Sequence, residues 1–285
     1  MSSVLQVVAL VWLGLTLLCP AFSEEPNEID QAFSRLYNFD FPGAHAALNR
    51  RISAHPDDPL AYAVRASADM FYELDRLSIL EGEFFSDDKR ISDKKNVKPD
   101  PANRALLFKA LGDAQSHVQA HLAANPNDQN ALFASCIADG VLGDYTALVE
   151  KKQIGSLSFV KRSTAIAQRL LKLNPQFYDA YLTTGTTEYL IGSLPFFVRW
   201  FVRVDNINGN KDQGIQAVQL VAAKGHYLKP FAKILLAIAN LREKRPRESE
   251  KLLIELSHDF PENPLFKKEL AQLSAKIRSG QLPAQ

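Results

Sequence analysis

NPQFYDAYLTTG, residues 174–185, has close relatives elsewhere in the same chain: HPDDPLAYAVRA at 55–66, NPNDQNALFASC at 125–136 and FPENPLFKKELA at 260–271. Aligning the four on Pro56, Pro126, Pro175 and Pro261 exposes a register. Twelve residues before the prolines stand Ala44, Ala114, Ser163 and Ser249, and ten residues after them stand Ala66, Cys136, Gly185 and Ala271. All these side chains are small, where roughly one in four would be expected from ordinary usage. The physical reading is close helix approach: two helices about 8–10 Å apart tolerate no bulk at their tightest crossing. The proline ends the preceding helix, because it cannot continue the hydrogen-bond ladder.

Outside these openings apolar residues recur at helical spacing almost throughout, and strand-like alternation is scarce. The expected class is all-α. Small, small, proline at these offsets resembles the tetratricopeptide repeat, a helix–turn–helix unit of about 34 residues. The resemblance covers about 27–279. Tyr62, Leu132 and Tyr181, six residues after their prolines, match the family's large position in the first helix. The resemblance implies a right-handed α-solenoid of antiparallel helix pairs and a role in protein interaction or scaffolding. It is degenerate at one position: where the family often has Tyr, this chain has Asp69, Asp139 and Glu188.

The prolines lie 70, 49 and 86 residues apart, so each interval exceeds one repeat. The last divides if Gly214 and His226 stand in for the small residue and the proline. The expected helices are then 27–38 with 42–54, 59–79 with 103–124, 129–149 with 157–173, 177–191 with 211–224, 229–243 with 246–258, and a closing helix at 264–278. The surplus falls between first and second helices, as insertions leaving one edge of the stack. Lengthening a connection from about 4 to 20 residues costs only about 1.4 kcal/mol.

Composition bounds the rest. Residues 1–23 carry no charged side chain, Val4 to Leu18 is nearly unbroken apolar sequence, and Ala21 and Ser23 suit a small-x-small processing site. This reads as a signal peptide, with residues 24–285 as the exported repeat domain, periplasmic or secreted; an uncleaved N-terminal anchor is the alternative. No later stretch is expected to span a membrane. With 33 basic and 32 acidic residues the net charge of +1 gives no electrostatic case for nucleic acid or anionic lipid. Past Ser23 the only cysteine is Cys136, so no intrachain disulfide is expected there.

Four features are candidates for chemistry or binding. In GSLPFFVRWFVRVDNINGN, 192–210, Phe196, Phe197, Trp200 and Phe201 share one face of a short expected helix, flanked by Arg199 and Arg203. That face either plugs onto the body or docks a partner. Asp69, Asp139 and Glu188 share a repeat position and either pair with bases such as Arg65 and Arg162 or form an acidic ladder on the inner face. Asp113, His117 and His121 span too much of one helix to share a metal ion, and NINGNKD lacks the glycine and glutamate of a calcium loop. The charged stretch 81–101 reads as a loop. No nucleophile–base pair, phosphate loop or HExxH motif is present. The chain is therefore read as a non-enzymatic module without cofactor or metal, taking a protein or peptide on the inner face of the stack. The alternative is a small-molecule or lipid carrier with an apolar pocket closed by 196–204.

Overall fold

Each repeated opening is a stop followed by a start. In the computed structural model, which describes residues 27–80, 98–194 and 206–282, four helices end two residues before Pro56, Pro126, Pro175 and Pro261. The next helix is started by an acidic or amide cap. Asp58 accepts the Leu60 N–H, Asp128 that of Ala131 and Asn263 that of Leu265, each satisfying a donor that the first helical turn leaves orphaned. Pro59 and Pro264 follow such caps directly, where a missing N–H costs nothing. The large residue six places on closes the turn: the Tyr62 hydroxyl donates to Pro56 O at 2.8 Å and the Tyr181 hydroxyl to Pro175 O at 3.3 Å. Leu132 has no hydroxyl, and there Arg169 of a later helix donates to Pro126 O instead.

Eleven α-helices result, with no strand among the described residues. They are α1 (Glu28–Tyr37), α2 (Phe41–Ala54), α3 (Pro59–Arg76), α4 (Pro101–Ala124), α5 (Gln129–Asp144), α6 (Gln153–Leu173), α7 (Ala180–Ser193), α8 (Lys211–Lys224), α9 (Lys229–Arg242), α10 (Pro246–Asp259) and α11 (Pro264–Arg278). Successive helices pack in adjacent pairs. At the end of α1, α3 and α9 the chain turns through a non-glycine residue with positive φ: Phe39 at 62°, Ser78 at 53° and Lys244 at 59°. In each, the following N–H reaches back to a carbonyl five residues earlier, as from Asp40 to Arg35, Ile79 to Leu74 and Arg245 to Asn240.

The small residues sit where bulk would be fatal. A Cβ built on Gly214 would stand 2.7 Å from Gly185 O and 2.6 Å from Tyr189 N. Cys136 Sγ lies 3.6 Å from Ser163 O, and Ala44, Ala66, Ala114 and Ser249 are all buried. Ala271 departs from the expectation: it is exposed, because it lies on α11, the last described helix, with no later helix to receive it.

One of the three insertions is not a loop. The surplus between Pro126 and Pro175 is held as helix: α5 runs on through a π-helical stretch, Tyr145–Val149, and α6 begins at Gln153, leaving three residues between them. Tyr145 and Val149 are buried there with Met70, Leu74, Ile79 and Leu107, so apolar packing favours continued helix over an excursion. The other two insertions include 81–97 and 195–205, which lie outside the described residues.

The largest core joins distant parts of the chain. Phe33 and Tyr37 of α1 pack with Leu48, Val64 and Phe133, and the same cluster receives Tyr227, Phe231 and Phe260. Phe33 stacks on Tyr227 at 5.0 Å, Phe71 meets Phe231 edge-on at 5.7 Å, and Phe133 lies 6.0 Å from Tyr227. Burying each large apolar side chain contributes about 1.5–3 kcal/mol, so this aromatic column is a main source of stability.

Candidate functional site

The first helices end, and the second helices begin, in a band of polar clamps. Glu73, 1% exposed at the end of α3, accepts from the Asp100 N–H at 3.0 Å, Asn103 Nδ2 at 3.3 Å and Arg76 at 2.7 Å. Arg76 also donates to Lys98 O at 2.7 Å. Both flanks of 81–97 are therefore tied to one carboxylate. A buried carboxylate needs such donors to offset its desolvation. Glu188 does the same on α7, accepting the N–H groups of Asn208 at 3.0 Å and Asn210 at 2.9 Å. Gly209 (φ 70°) lets that segment lie against α7: a Cβ on Gly192 would stand 2.8 Å from Gly209 O.

Two further acids extend the band. Arg104 at the start of α4 and Lys152 before α6 both reach Glu150, at 3.2 and 3.1 Å. Burial works against its ionised form, but Lys152 and Arg104 together hold its carboxyl below the usual range. Glu243 accepts from Lys211 at 2.7 Å and from the Tyr189 hydroxyl at 3.4 Å, and the lysine holds it below the usual range. Within four residues in sequence of these clamp groups stand exposed apolar side chains, Tyr72 (41% exposed), Leu106 (59%), Ile154 (86%) and Leu190 (55%); Leu173 (39%) and Ile254 (52%) are exposed elsewhere.

The expected carboxylate ladder has partners at each rung. Asp139 makes a two-pronged pair with Arg162, at 2.5 and 3.2 Å. Asp69, 3% exposed, faces His45 at 3.2 Å rather than Arg65, which donates to Asn49. Glu188 is engaged in the clamp just described. The aromatic candidates Phe196, Phe197, Arg199, Trp200, Phe201 and Arg203 lie outside the described residues, as does the 1–23 segment.

On α3, α5 and α7, Ala63, Ser67, Phe133 and Leu182 are 0%, 7%, 1% and 6% exposed, while Ile137 and Thr186 are half-buried. They are covered by the chain itself, chiefly through the aromatic column that α1 and the 226–231 segment complete.

Asp113, His117 and His121 are half-buried rather than a solvated face, and each has its own partner. Asp113 pairs with Lys109 at 2.6 Å, His117 stacks on Tyr62 at 4.8 Å, and His121 bonds Asp128 at 2.9 Å. The NINGNKD stretch becomes a turn whose Asn210 caps α8 by accepting from Asp212 and Gln213. Among the described residues no metal-sized group of His, Cys, Asp and Glu comes together. One segment there, Gln129–Val149, is long and apolar enough to cross a membrane, contrary to expectation; 44% of it is buried in the body.

Beside Asn206 and Ile207 lies an open groove of about 470 Å³ between α6, α7 and α8. Its walls mix Leu171 and Ala217 with Gln168, Glu188 and Gln213.

Sequence reading missed the groups that join α1 to the later part of the chain. The Tyr37 hydroxyl donates to Tyr227 O at 3.0 Å, Asn263 Nδ2 to Tyr37 O at 2.8 Å, and His226 meets Asp30 at 2.7 Å. Asp179, placed like the other caps, gives its carboxylate instead to the N–H groups of His226, Tyr227 and Leu228 at 3.2, 3.3 and 2.9 Å. Its only signal was its place after Pro175. No protein-family model, curated protein or solved structure matches the chain.

Proposed function

We propose that the protein is a non-enzymatic binding module that engages a protein or peptide along the clamped edge, not on its inner face. The observation that carries this reading is the company Tyr72, Leu106, Ile154 and Leu190 keep. Apolar side chains held in solvent beside polar clamps favour a docking surface with a polar rim. The clamped flanks of 81–97 and 195–205 support a role for both insertions in shaping that surface, with Phe196, Phe197, Trp200 and Phe201 as contact residues and Arg199 and Arg203 at the rim. The small residues at the helix crossings support a tetratricopeptide-like solenoid of antiparallel pairs. The charge-free 1–23 segment supports export to the periplasm or beyond.

Photoreactive residues at positions 106, 154 and 190, introduced in the native compartment, test the reading. The same polypeptide is expected from all three, and the exposed-site variants Ile154→Asp and Leu190→Asp are expected to cut its capture by about tenfold or more. Capture confined to the opposite edge, for example from position 176, would overturn it.

A further inference from the structure

The edge formed by the repeated openings holds a second feature, a cavity of about 320 Å³. Leu60, Phe133, Phe177, Tyr178 and Tyr227 supply its apolar wall. Phe133 and Phe177 meet at 4.9 Å between centroids, tilted by 57°, and Tyr227 closes the far side.

Most polar groups in the cavity are already engaged. Asn130 donates to Asp58 at 2.8 Å, and Asn174 donates to Gln129 at 2.9 Å while accepting from the Gln176 N–H. Both oxygens of Asp179 accept backbone N–H groups, which leaves that carboxylate turned into the chain. His226 is paired with Asp30.

Lys224 is different. Its ammonium stands 5.2 Å from the centroid of the Tyr178 ring and makes no ion pair among the described residues. The cavity thus sets aromatic faces beside a cation that has a ring for company and forms no ion pair among the described residues, the Asp179 carboxylate of the same lining being held by backbone N–H groups.

We propose that this cavity binds a small aromatic carboxylate, its ring against Phe177 and Tyr227 and its carboxylate on Lys224. The volume lies at the low end for ligand sites, about 300–1,000 Å³, which suits a single-ring acid and excludes a nucleotide or a lipid chain. The charged hydrogen bond sets orientation, and the rings supply the buried area. The site lies on the edge opposite the docking surface and does not rest on that reading.

The test is calorimetric titration of the full chain with 3-phenylpropionate, with 3-phenylpropionamide, and with a pentapeptide ending in phenylalanine. Saturable binding of the acid is expected, with the amide at least about tenfold weaker, the loss of one charge-assisted bond. Tight binding of the pentapeptide as well assigns the source to a polypeptide end; binding of the free acid alone assigns it to a small molecule. Lys224→Gln, on an exposed side chain, is expected to weaken the acid by a similar factor without a change in melting temperature, and Lys224→Arg to restore it. Equal binding of acid and amide, indifference to Lys224→Gln, or no saturation with any probe would each overturn the proposal. Partner capture from positions 106, 154 and 190 is expected to be unchanged in Lys224→Gln, which keeps the two ideas separable.

Discussion

Gly185 and Gly214 pass each other with no side chain between them: a Cβ on Gly185 would meet Gly214 O at 3.0 Å and the Ala217 methyl at 2.8 Å. The contact lies between the adjacent helices α7 and α8, and neither backbone has room to retreat without unpacking Val218 and Val221 from the core.

Gly214→Ala is therefore expected to destabilise by about 3 kcal/mol, the overpacking range. Gly112, in the middle of α4 with nothing within 4 Å of its would-be Cβ, is the control. Gly112→Ala should stabilise by about 0.5–1 kcal/mol through backbone entropy alone. Urea midpoints read both.

Cys136 is buried, with Thr183 Oγ1 at 3.2 Å, and burial pushes its thiol up to about 11. At pH 8 it should react with iodoacetamide about 100-fold more slowly in the folded protein than in urea, since the thiolate is the nucleophile. Fast native alkylation would place α5 away from α6 and α7.

The His121–Asp128 bridge predicts a pH window. The bond to Asp128 raises the His121 imidazole above its ordinary value. Burial opposes ionisation of Asp128, but the Ala131 N–H and His121 outweigh it and its carboxyl is lowered. The histidine's share of stability is complete below its unfolded value, near ~6.5, and is lost as pH rises through the folded one. The aspartate's share is present above ~3.8 and lost as pH falls. His121→Leu should lower the urea midpoint more at pH 5.5 than at pH 8.5.

Where α1 meets the later part of the chain, Tyr37→Phe removes one buried donor and should cost about 1 kcal/mol. Asn263→Ala removes both a helix cap and the bond to Tyr37 O, and should cost about 1–2 kcal/mol. The double variant should cost less than the sum, because both act on one residue.

Lys244 adopts φ 59° at the end of α9, with an exposed side chain. Lys244→Gly should stabilise by about 0.5–1 kcal/mol, since glycine enters that region without steric penalty. Thermal unfolding checks it.

The helices were legible because their ends are punctuated chemically. The four prolines and the caps at 58, 128 and 263 place starts and stops within a residue or two, and the small positions anticipated the Gly185–Gly214 crossing. The π-helical run at Tyr145–Val149 was not legible as such, since periodicity cannot distinguish a helix that continues from one that yields to a loop. Ala271 was small without being packed, because composition does not reveal where a stack ends. Least legible was the aromatic column. Phe33 and Tyr37 read as ordinary helix residues and Tyr227 as part of a connection, and their meeting joins positions about 190 residues apart, which local periodicity does not reveal. The proposed docking edge was foreshadowed by surplus length between Pro56 and Pro126 and between Pro175 and Pro261, and by the aromatic stretch within the latter.

The bond from Tyr37 to Tyr227 spans 190 residues of sequence. Arrays of helix pairs ordinarily fray from their termini, and units can be added or dropped with little effect on the middle. Here α1, the first described helix, is fastened to the segment between α8 and α9, so fraying from that side must break contacts that close a loop of most of the described chain. The molecule should melt in a single transition, and shortening it by one unit should cost far more than that unit's own contacts.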